Sequence, residues 1–498
     1  MGVMVVVSEP TCARCYEYQQ RQLALEAELD QLRAKVEDLA EQLAEAKKDS
    51  TTSHKPPSSD IVKPAKEPAP ATRTRGGQPG HPPHFRAPYA PEELTGSFDY
   101  RLCRCPDCGS LLDTSDVPVH SIQQVDVPEI TLTIEEHRSY ESWCPQCQKT
   151  YTAPLPPAIV SGGLLGPHLR TLIGYLKAVC HASFSTIRKY FRDVLRVKIS
   201  RGYLAKVIAQ VSAALAQPYE ELLIALAKEP FLNVDETSHP HEGERWWTWC
   251  FRAELYTLFQ VDPSRSADVL LKVLGESFGG VLGCDQFSAY HRYLRICDVR
   301  VQWCLAHLIR EVKFLTTLPG KDARAYGERL RDALRALFSV IHEHEKLAAN
   351  VFQNKLAHAK RQILQVGTTN VPPNKYCENI AERLRVHGEG YFTFITTPGV
   401  QPTNNVAEQA IRFVVIDRYI TQGTRSTTGA RWSERIWTVV ATCAQQGKSV
   451  YSFLRACITA HGDKTAPPSL RPPEVGQRQN QPRQQAKGRH AGGGQQPE

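Results

Sequence analysis

The clearest periodicity lies near the N-terminus, where Leu25, Leu29, Leu32, Val36, Leu39 and Leu43 alternate steps of four and three. That is an a/d seam, and it predicts a helix from residue 16 to about 48 with one apolar stripe on a body of Glu, Lys, Arg and Gln. Pairing with a second copy would bury the stripe, as would docking on the protein's own body; a coiled coil over residues 1–50 in a homodimer or higher oligomer is the favoured expectation. From Ser50 to Ala90 the pattern dissolves into Pro, Ser, Lys and Gly. Residues 51–100 therefore read as a basic linker. Within it, Arg73 and Arg75 precede Gly76-Gly-Gln-Pro-Gly-His81 and read either as arginines able to reach DNA phosphates or as part of a solvated tether.

Residues 101–155 carry two strand-like runs, Ile122 to Val127 and Ile130 to His137, between Cys105-Pro-Asp-Cys108 and Cys144-Pro-Gln-Cys147. Each C-P-x-C unit is a tight turn that sets two thiolates on one side. Four such ligands suit Zn2+, and a zinc ribbon is expected. Cys12 and Cys15 form a lone C-x2-C with no second pair beside it. Residues 160–228 have helical periodicity in three pieces, Pro167 to Cys180, Ser185 to Leu195, and a third capped by Ser200. Short helices on short turns suggest a helix-turn-helix-like domain offering Arg201, Tyr203 and Lys206 to DNA, although packed helices also simply fill space.

After Pro230 the period changes to that of strands. Phe231 to Thr237, Arg245 to Phe251, Leu255 to Val261, Gly280 to Cys284 and Val299 to Trp303 surround one helical stretch, which implies a mixed α/β sheet. A long helical insertion is expected over about 305–400, with Leu330, Leu334, Leu337 and Ile341 on one face. Its basic residues Arg310, Lys313, Arg324, Arg329 and Arg331 read either as a DNA path or as a solvated face. Trp432 and Trp437 read as core. The sheet domain is taken to span 229–462, and the Pro-, Gln- and Gly-rich tail 463–498 is expected to be disordered.

Composition narrows the classes. The 498 residues are 41% hydrophobic and 22% charged, which excludes wholesale disorder. No apolar run reaches the length of about 18 residues that a membrane span needs, and a cytoplasmic protein is expected. The 60 Lys and Arg against 52 Asp and Glu leave a modest excess of +8, and 15 cysteines without a secretion signal suggest thiols and metal ligands. Against this background two acids stand out. Asp235 and Asp285 interrupt or end apolar strands, a costly place for a charge unless it is paired or metal-bound. Glu408 supplies a third acid early in a helix capped by Thr403 or Asn404. Three carboxylates from two strands and a helix can hold two Mg2+ (or Mn2+) ions about 4 Å apart, the arrangement that drives in-line phosphoryl transfer. Beyond Glu408, the arginines Arg412, Arg418, Arg425, Arg431 and Arg435 suggest phosphate contacts.

Taken together, these motifs resemble the insertion-sequence-66 family of DDE transposases. The resemblance lies in the zipper, Lys55-Pro-Pro-Ser-Ser-Asp60, Gly76 to His81, the paired knuckles, Val234-Asp235-Glu-Thr237, Cys284-Asp285-Gln-Phe-Ser-Ala-Tyr290, Trp303-Cys-Leu-Ala-His307 and Thr403-Asn-Asn-Val-Ala-Glu408. It implies a multidomain α/β protein with a ribonuclease-H-like mixed-sheet core, a catalytic triad of Asp235, Asp285 and Glu408, and zinc on Cys105, Cys108, Cys144 and Cys147. It also implies double-stranded DNA as substrate, namely the ends of a bacterial mobile element and a target, with small accessory proteins as partners. Cys304 and His307 form a C-x2-H pair; two ligands do not complete a zinc site, so packing or DNA positioning is favoured over metal binding. Two other classes stay open at this level: a DNA-binding zinc regulator and a metal-dependent nuclease.

Overall fold

The computed structural model describes residues 13–49, 52, 87–113, 116–127 and 130–472. Helix α1 (Ala13–Ala46) forms where the heptads predict it, and Leu25, Leu29, Leu32, Val36, Leu39 and Leu43 all remain exposed along it. Its C-terminal end meets the body through charge: Lys48 Nζ lies 3.9 Å from the centre of the Phe314 ring, and Lys375 lies 3.8 Å from Glu41. Arg73 and Arg75, Cys12 and most of the C-terminal tail lie outside the described residues.

Between 87 and 155 no described residue is buried. Strands β1 (Glu141–Cys144) and β2 (Lys149–Thr152) form an antiparallel hairpin around the second knuckle. The runs expected as strands at 122–127 and 130–137 are not strands. Alternating side chains favour a strand where one face has an apolar surface to pack on, and no described residue of these runs is buried.

The helical region contains α2 (Pro157–Gly162), α3 (Pro167–Ala178), α4 (Phe184–Asp193), α5 (Arg201–Ala214) and α6 (Ala216–Leu226). Ser183 and Ser200 start α4 and α5 by accepting the N–H groups of Thr186 and Tyr203 at 3.0 and 3.1 Å. The sequence pattern carries no break at Leu215, so α6 is an element beyond the three expected.

Five strands form the central sheet: β3 (Phe231–His241), β4 (Glu244–Arg252) and β5 (Thr257–Asp262), then β6 (Val281–Cys284) after α7 (Ala267–Leu274), and β7 (Arg300–Trp303) after α8 (Ser288–Ile296). The order is β5-β4-β3-β6-β7, with β3, β4 and β5 antiparallel and β3, β6 and β7 parallel. Strand β3 runs to His241 and turns through Glu242 and Gly243, both at positive φ (53° and 88°), a two-residue hairpin. The insertion comprises α9 (Leu305–Leu315), α10 (Lys321–His342), α11 (Ala349–Thr368), α12 (Lys375–His387) and α13 (Thr393–Thr396), and Leu330, Leu334 and Leu337 are buried on its inner face as the spacing predicts. Helices α14 (Asn405–Thr421), α15 (Thr427–Gln446) and α16 (Val450–Asp463) complete the fold. Trp432 and Trp437 lie in the core, and α15 and α16 pack against α3 and α5, so the helices before the sheet share a core with the C-terminal ones.

Edge strand β5 is closed by a helix rather than by another strand. Glu434, Thr438 and Thr442 of α15 accept the N–H groups of Val261, Phe259 and Thr257 at 2.8, 3.0 and 3.2 Å. Four helical residues rise about 6 Å and two strand residues about 6.6 Å, so helix and strand stay in step over all three bonds. Replacing Thr438 by Val keeps the shape and removes the acceptor for the buried Phe259 N–H. Thr438→Val is therefore expected to lower stability by about 1–3 kcal/mol, with Thr438→Ser recovering much of it; unchanged urea midpoints would show that this edge contact carries no stability.

Candidate functional site

Asp235 sits in the middle strand of the sheet. The parallel register pairs Phe231 with Val281 and Asn233 with Gly283, and continuing it by two residues sets Asp235 beside Asp285 just past the end of β6. Both carboxylates are anchored by the backbone: Asp235 accepts the N–H of Glu236 and Asp285 that of Phe287, each at 2.9 Å. Glu408 arrives from α14, in its first turn.

Asn404 delivers that turn. By position it is the N-cap of α14, yet its side chain does not cap the helix. Instead Nδ2 donates to the Val234 carbonyl at 2.8 Å, and Oδ1 accepts from Asn233 Nδ2 at 2.9 Å. Its backbone N–H donates to Cys304 Sγ at 3.1 Å, while Leu305 N–H reaches the Pro402 carbonyl at 3.0 Å. The room for Asn233 comes from Gly283, where a Cβ would lie 2.9 Å from Asn233 Nδ2.

A fourth acid joins these three. Glu236 is almost completely buried and has its own counter-charge: Arg265 donates to it through Nη2 and Nε at 2.7 and 2.9 Å, and Tyr290 Oη donates at 2.5 Å. The Arg265 guanidinium lies over the rings of Phe287 and Trp247, 3.8 and 4.5 Å from their centres. Burial pushes the Asp235 carboxyl well above the usual range, and the neighbouring charges of Glu236, Asp285 and Glu408 push it further. Glu236 is raised too, by burial and by Asp285, with Tyr290 and Arg265 opposing. Asp285 and Glu408 thus lie close enough for their charge to act on Asp235. A dication is the natural counter-charge for such a site.

Glu408 is held from the insertion. Arg310 Nη2 donates to its Oε2 at 3.1 Å, and His307 Nε2 lies 3.8 Å from Oε1. That Oε1 is buried and accepts no hydrogen bond among the described residues. Burial pushes the nearby Cys304 thiol up to about 11.

The other sequence-predicted residues distribute as follows. Arg201 and Lys206 are exposed on α5, Arg201 donating to Ser185 Oγ at 2.6 Å, whereas Tyr203 is half-buried and its Oη accepts the Leu165 N–H at 3.3 Å. Arg412 is exposed on α14, but Arg418 turns onto β3, donating to Thr237 Oγ1 at 2.8 Å and to the Ser238 carbonyl. Each knuckle is a formed turn: Gly109 N–H closes on the Cys105 carbonyl at 2.9 Å, and Cys147 N–H donates to Cys144 Sγ at 3.4 Å. The two knuckles do not come together as one four-thiol cluster. Among the described residues, Cys304, His307 and Glu408 form the group of three or more metal-capable ligands whose donor atoms lie within 4.8 Å of one another. Sequence reasoning missed Glu236, Arg265 and the Arg310–Glu408 pair. The Glu236 signal was its place next to Asp235 in a buried strand; the pairings of Arg265 and Arg310 depend on tertiary contacts that have no local signature.

The site is thus an acidic one on a mixed α/β core, with one acid within β3, one just past the end of β6 and a third on a packed helix. The chain belongs to the Transposase IS66 family, whose model matches residues 162–432, just over half of the 498 residues, and spans all three acids. Residues 10–87 match a family of unknown function (DUF6444), and no curated protein matches the chain. Membership assigns a transposase role in general and, with it, DNA as partner. No helix among the described residues is long and apolar enough to cross a membrane.

A carboxyl whose pKa is raised by folding binds its proton more tightly in the folded state, so stability falls as pH rises from the ordinary carboxylate range towards that raised value. In the presence of a chelator, Asp235→Asn is expected to stabilise the protein at pH 7, with the gain shrinking as pH falls towards about 4. Urea unfolding at both pH values measures this. A variant less stable than its parent at pH 7 would show that the carboxylate is not repelled there.

Proposed function

We propose that the chain is a DNA transposase that cuts the ends of its element and joins the resulting 3′-hydroxyl strands to target DNA, with Asp235, Asp285 and Glu408 as its catalytic acids on a ribonuclease-H-like core. The observation that carries this reading is the convergence of these three carboxylates, from β3, the end of β6 and the first turn of α14, with Asp285 and Glu408 near enough to raise the Asp235 carboxyl. The strand order, three antiparallel strands continued by two parallel ones, supports the core assignment.

The residues fit the implied ions. All three donors are carboxylate oxygens, which suit a hard cation, and Glu236, the remaining acid, already has Arg265 as its counter-ion. When bound there, Mg2+ or Mn2+ would activate the attacking oxygen and stabilise the leaving oxygen of an in-line displacement. The protein's own part is orientation. The Glu236–Arg265–Tyr290 cluster locks α8 to β3 behind Asp235, Asn404 fixes the first turn of α14, and Arg310 aims Glu408. The exposed Arg201, Lys206 and Arg412 are the described basic residues we assign to DNA phosphates, with Arg73 and Arg75 added from outside the described residues. Zn2+ on Cys105, Cys108, Cys144 and Cys147 would serve a structural role by drawing together the two knuckles, which do not otherwise meet, since no described residue of the segment carrying them is buried.

The test is strand transfer of pre-cut element-end duplexes into a supercoiled plasmid with Mg2+ or Mn2+. Using cut ends bypasses any step that accessory proteins control. The parent should join them, and Asp235→Asn should bind the same duplex yet lose joining by at least about 100-fold, the scale on which removing a charge-stabilising catalytic group acts. Undiminished joining by the variant would refute the assignment; nicking without joining by the parent would indicate a nuclease, and binding alone a regulator.

We further infer that the wet stripe of α1 pairs with a second copy, because six large apolar side chains at heptad spacing are exposed along it. Leu32→Pro is expected to shift the mass in solution from dimer or higher oligomer to monomer, read by light scattering. An unchanged mass would remove α1 from the interface.

A further inference from the structure

We propose that Cys304, His307 and Glu408 form a second binding site, adjoining the acids, for a borderline-soft dication of the Zn2+ class, which clamps the start of the helical insertion to the helix bearing Glu408. Their donor atoms lie within 4.8 Å of one another. They come from three places in the fold: the exit of β7, the first turn of α9 and the first turn of α14. The backbone bonds Asn404 N–H to Cys304 Sγ and Leu305 N–H to the Pro402 carbonyl already hold these places together.

The donor set is one sulfur, one imidazole nitrogen and one carboxylate oxygen. This combination selects a zinc-like ion over Mg2+, which takes oxygen ligands. A tetrahedral ion with bonds of about 2.0–2.3 Å keeps its ligands roughly 3.5 Å apart. His307 Nε2 and Glu408 Oε1 are at 3.8 Å, so small side-chain rotations complete the site. The surroundings are those of a ligand shell. Cys304 Sγ is buried and faces the backbone N–H groups of Asn404, Ala306 and His307. Arg310 binds Glu408 through Oε2, which turns Oε1 towards His307, and Oε1 is buried without a hydrogen bond. Three protein ligands leave a fourth position for water or a substrate oxygen. Binding releases the thiol proton to solvent, leaving a thiolate on the ion.

The site shares Glu408 with the proposed catalytic acids but does not rest on the transposase reading, and its test reads metal binding rather than joining. The probe is Co2+ added to the metal-free full-length chain in which Cys105, Cys108, Cys144 and Cys147 are all Ser. One equivalent of Co2+ with a thiolate-to-cobalt charge-transfer band, displaced by Zn2+, is expected. The band should disappear in Cys304→Ser and weaken at least tenfold in affinity in His307→Gln, while Asp235→Asn keeps it. Should the four-serine chain not fold, the same site reads as one equivalent of thiolate-bound Co2+ fewer in Cys304→Ser than in the otherwise unaltered protein. Absence of the band in the folded four-serine chain, or equal stoichiometry in that comparison, would overturn the proposal. Loss of strand transfer by Asp235→Asn with the band retained would separate this site from the catalytic one.

Discussion

The arrangement of the site depends on one buried asparagine. Asn404 is 2% exposed, and it links three segments that are far apart in the chain: β3 through Val234 and Asn233, the exit of β7 through Cys304, and α14 by standing at its N-terminus. A buried amide with no partner costs about 1–3 kcal/mol per lost bond, whereas each satisfied bond adds only about 1. This asymmetry makes Asn404 a locator more than a source of stability, because alternative positions of the 402–408 turn would leave several polar atoms buried and unpaired. Once the turn is fixed, Glu408 falls beside Asp235 without any direct bond between the two acids.

Repulsion within the site and order around it are complementary. Burial of Asp235, with the charges of Glu236, Asp285 and Glu408 around it, favours its uncharged form, so the geometry of the site has to be imposed by neighbours. Those neighbours are themselves fully paired. Glu236 is held by Arg265 and Tyr290, Arg265 is stacked between two aromatic rings, and Arg310 reaches Glu408 from the insertion. The long insertion thereby becomes part of the site. Its first helix supplies both Arg310 and His307, while its remaining helices bury Leu330, Leu334 and Leu337 and so fix the direction from which α9 approaches.

What was legible in the sequence follows from how local each signal is. The α1 heptads, the Ser200 cap, the strands around Asp235 and Asp285 and the apolar face of the insertion were readable, because each is a pattern within about twenty residues. Asp235 and Asp285 were readable as a pair because a charge in an apolar strand is a visible anomaly. Glu236 was hidden by its more conspicuous neighbour, and Arg265 and Arg310 by looking like any other surface arginine. Thr403 or Asn404 is the cap that the sequence suggests; Asn404 holds that position, yet its side chain faces the sheet. Arg418 was read as a DNA contact but is turned onto β3.

The strand-like runs at 122–127 and 130–137 form no strand for a related reason. Alternation records which side chains would share a face, not whether anything exists to cover that face. In the sheet domain the cover is present, down to α15 matching the edge of β5 with side-chain acceptors at every fourth residue. In the segment 87–155 no described residue is buried, and the same alternation produces no strand. The hairpin of β1 with β2 forms around a C-P-x-C turn, and an antiparallel bridge between Arg104 and Leu111 closes around the other. Local turn geometry, rather than burial, sets the structure of that segment, and this is the condition under which ligation by a metal ion contributes most to folding.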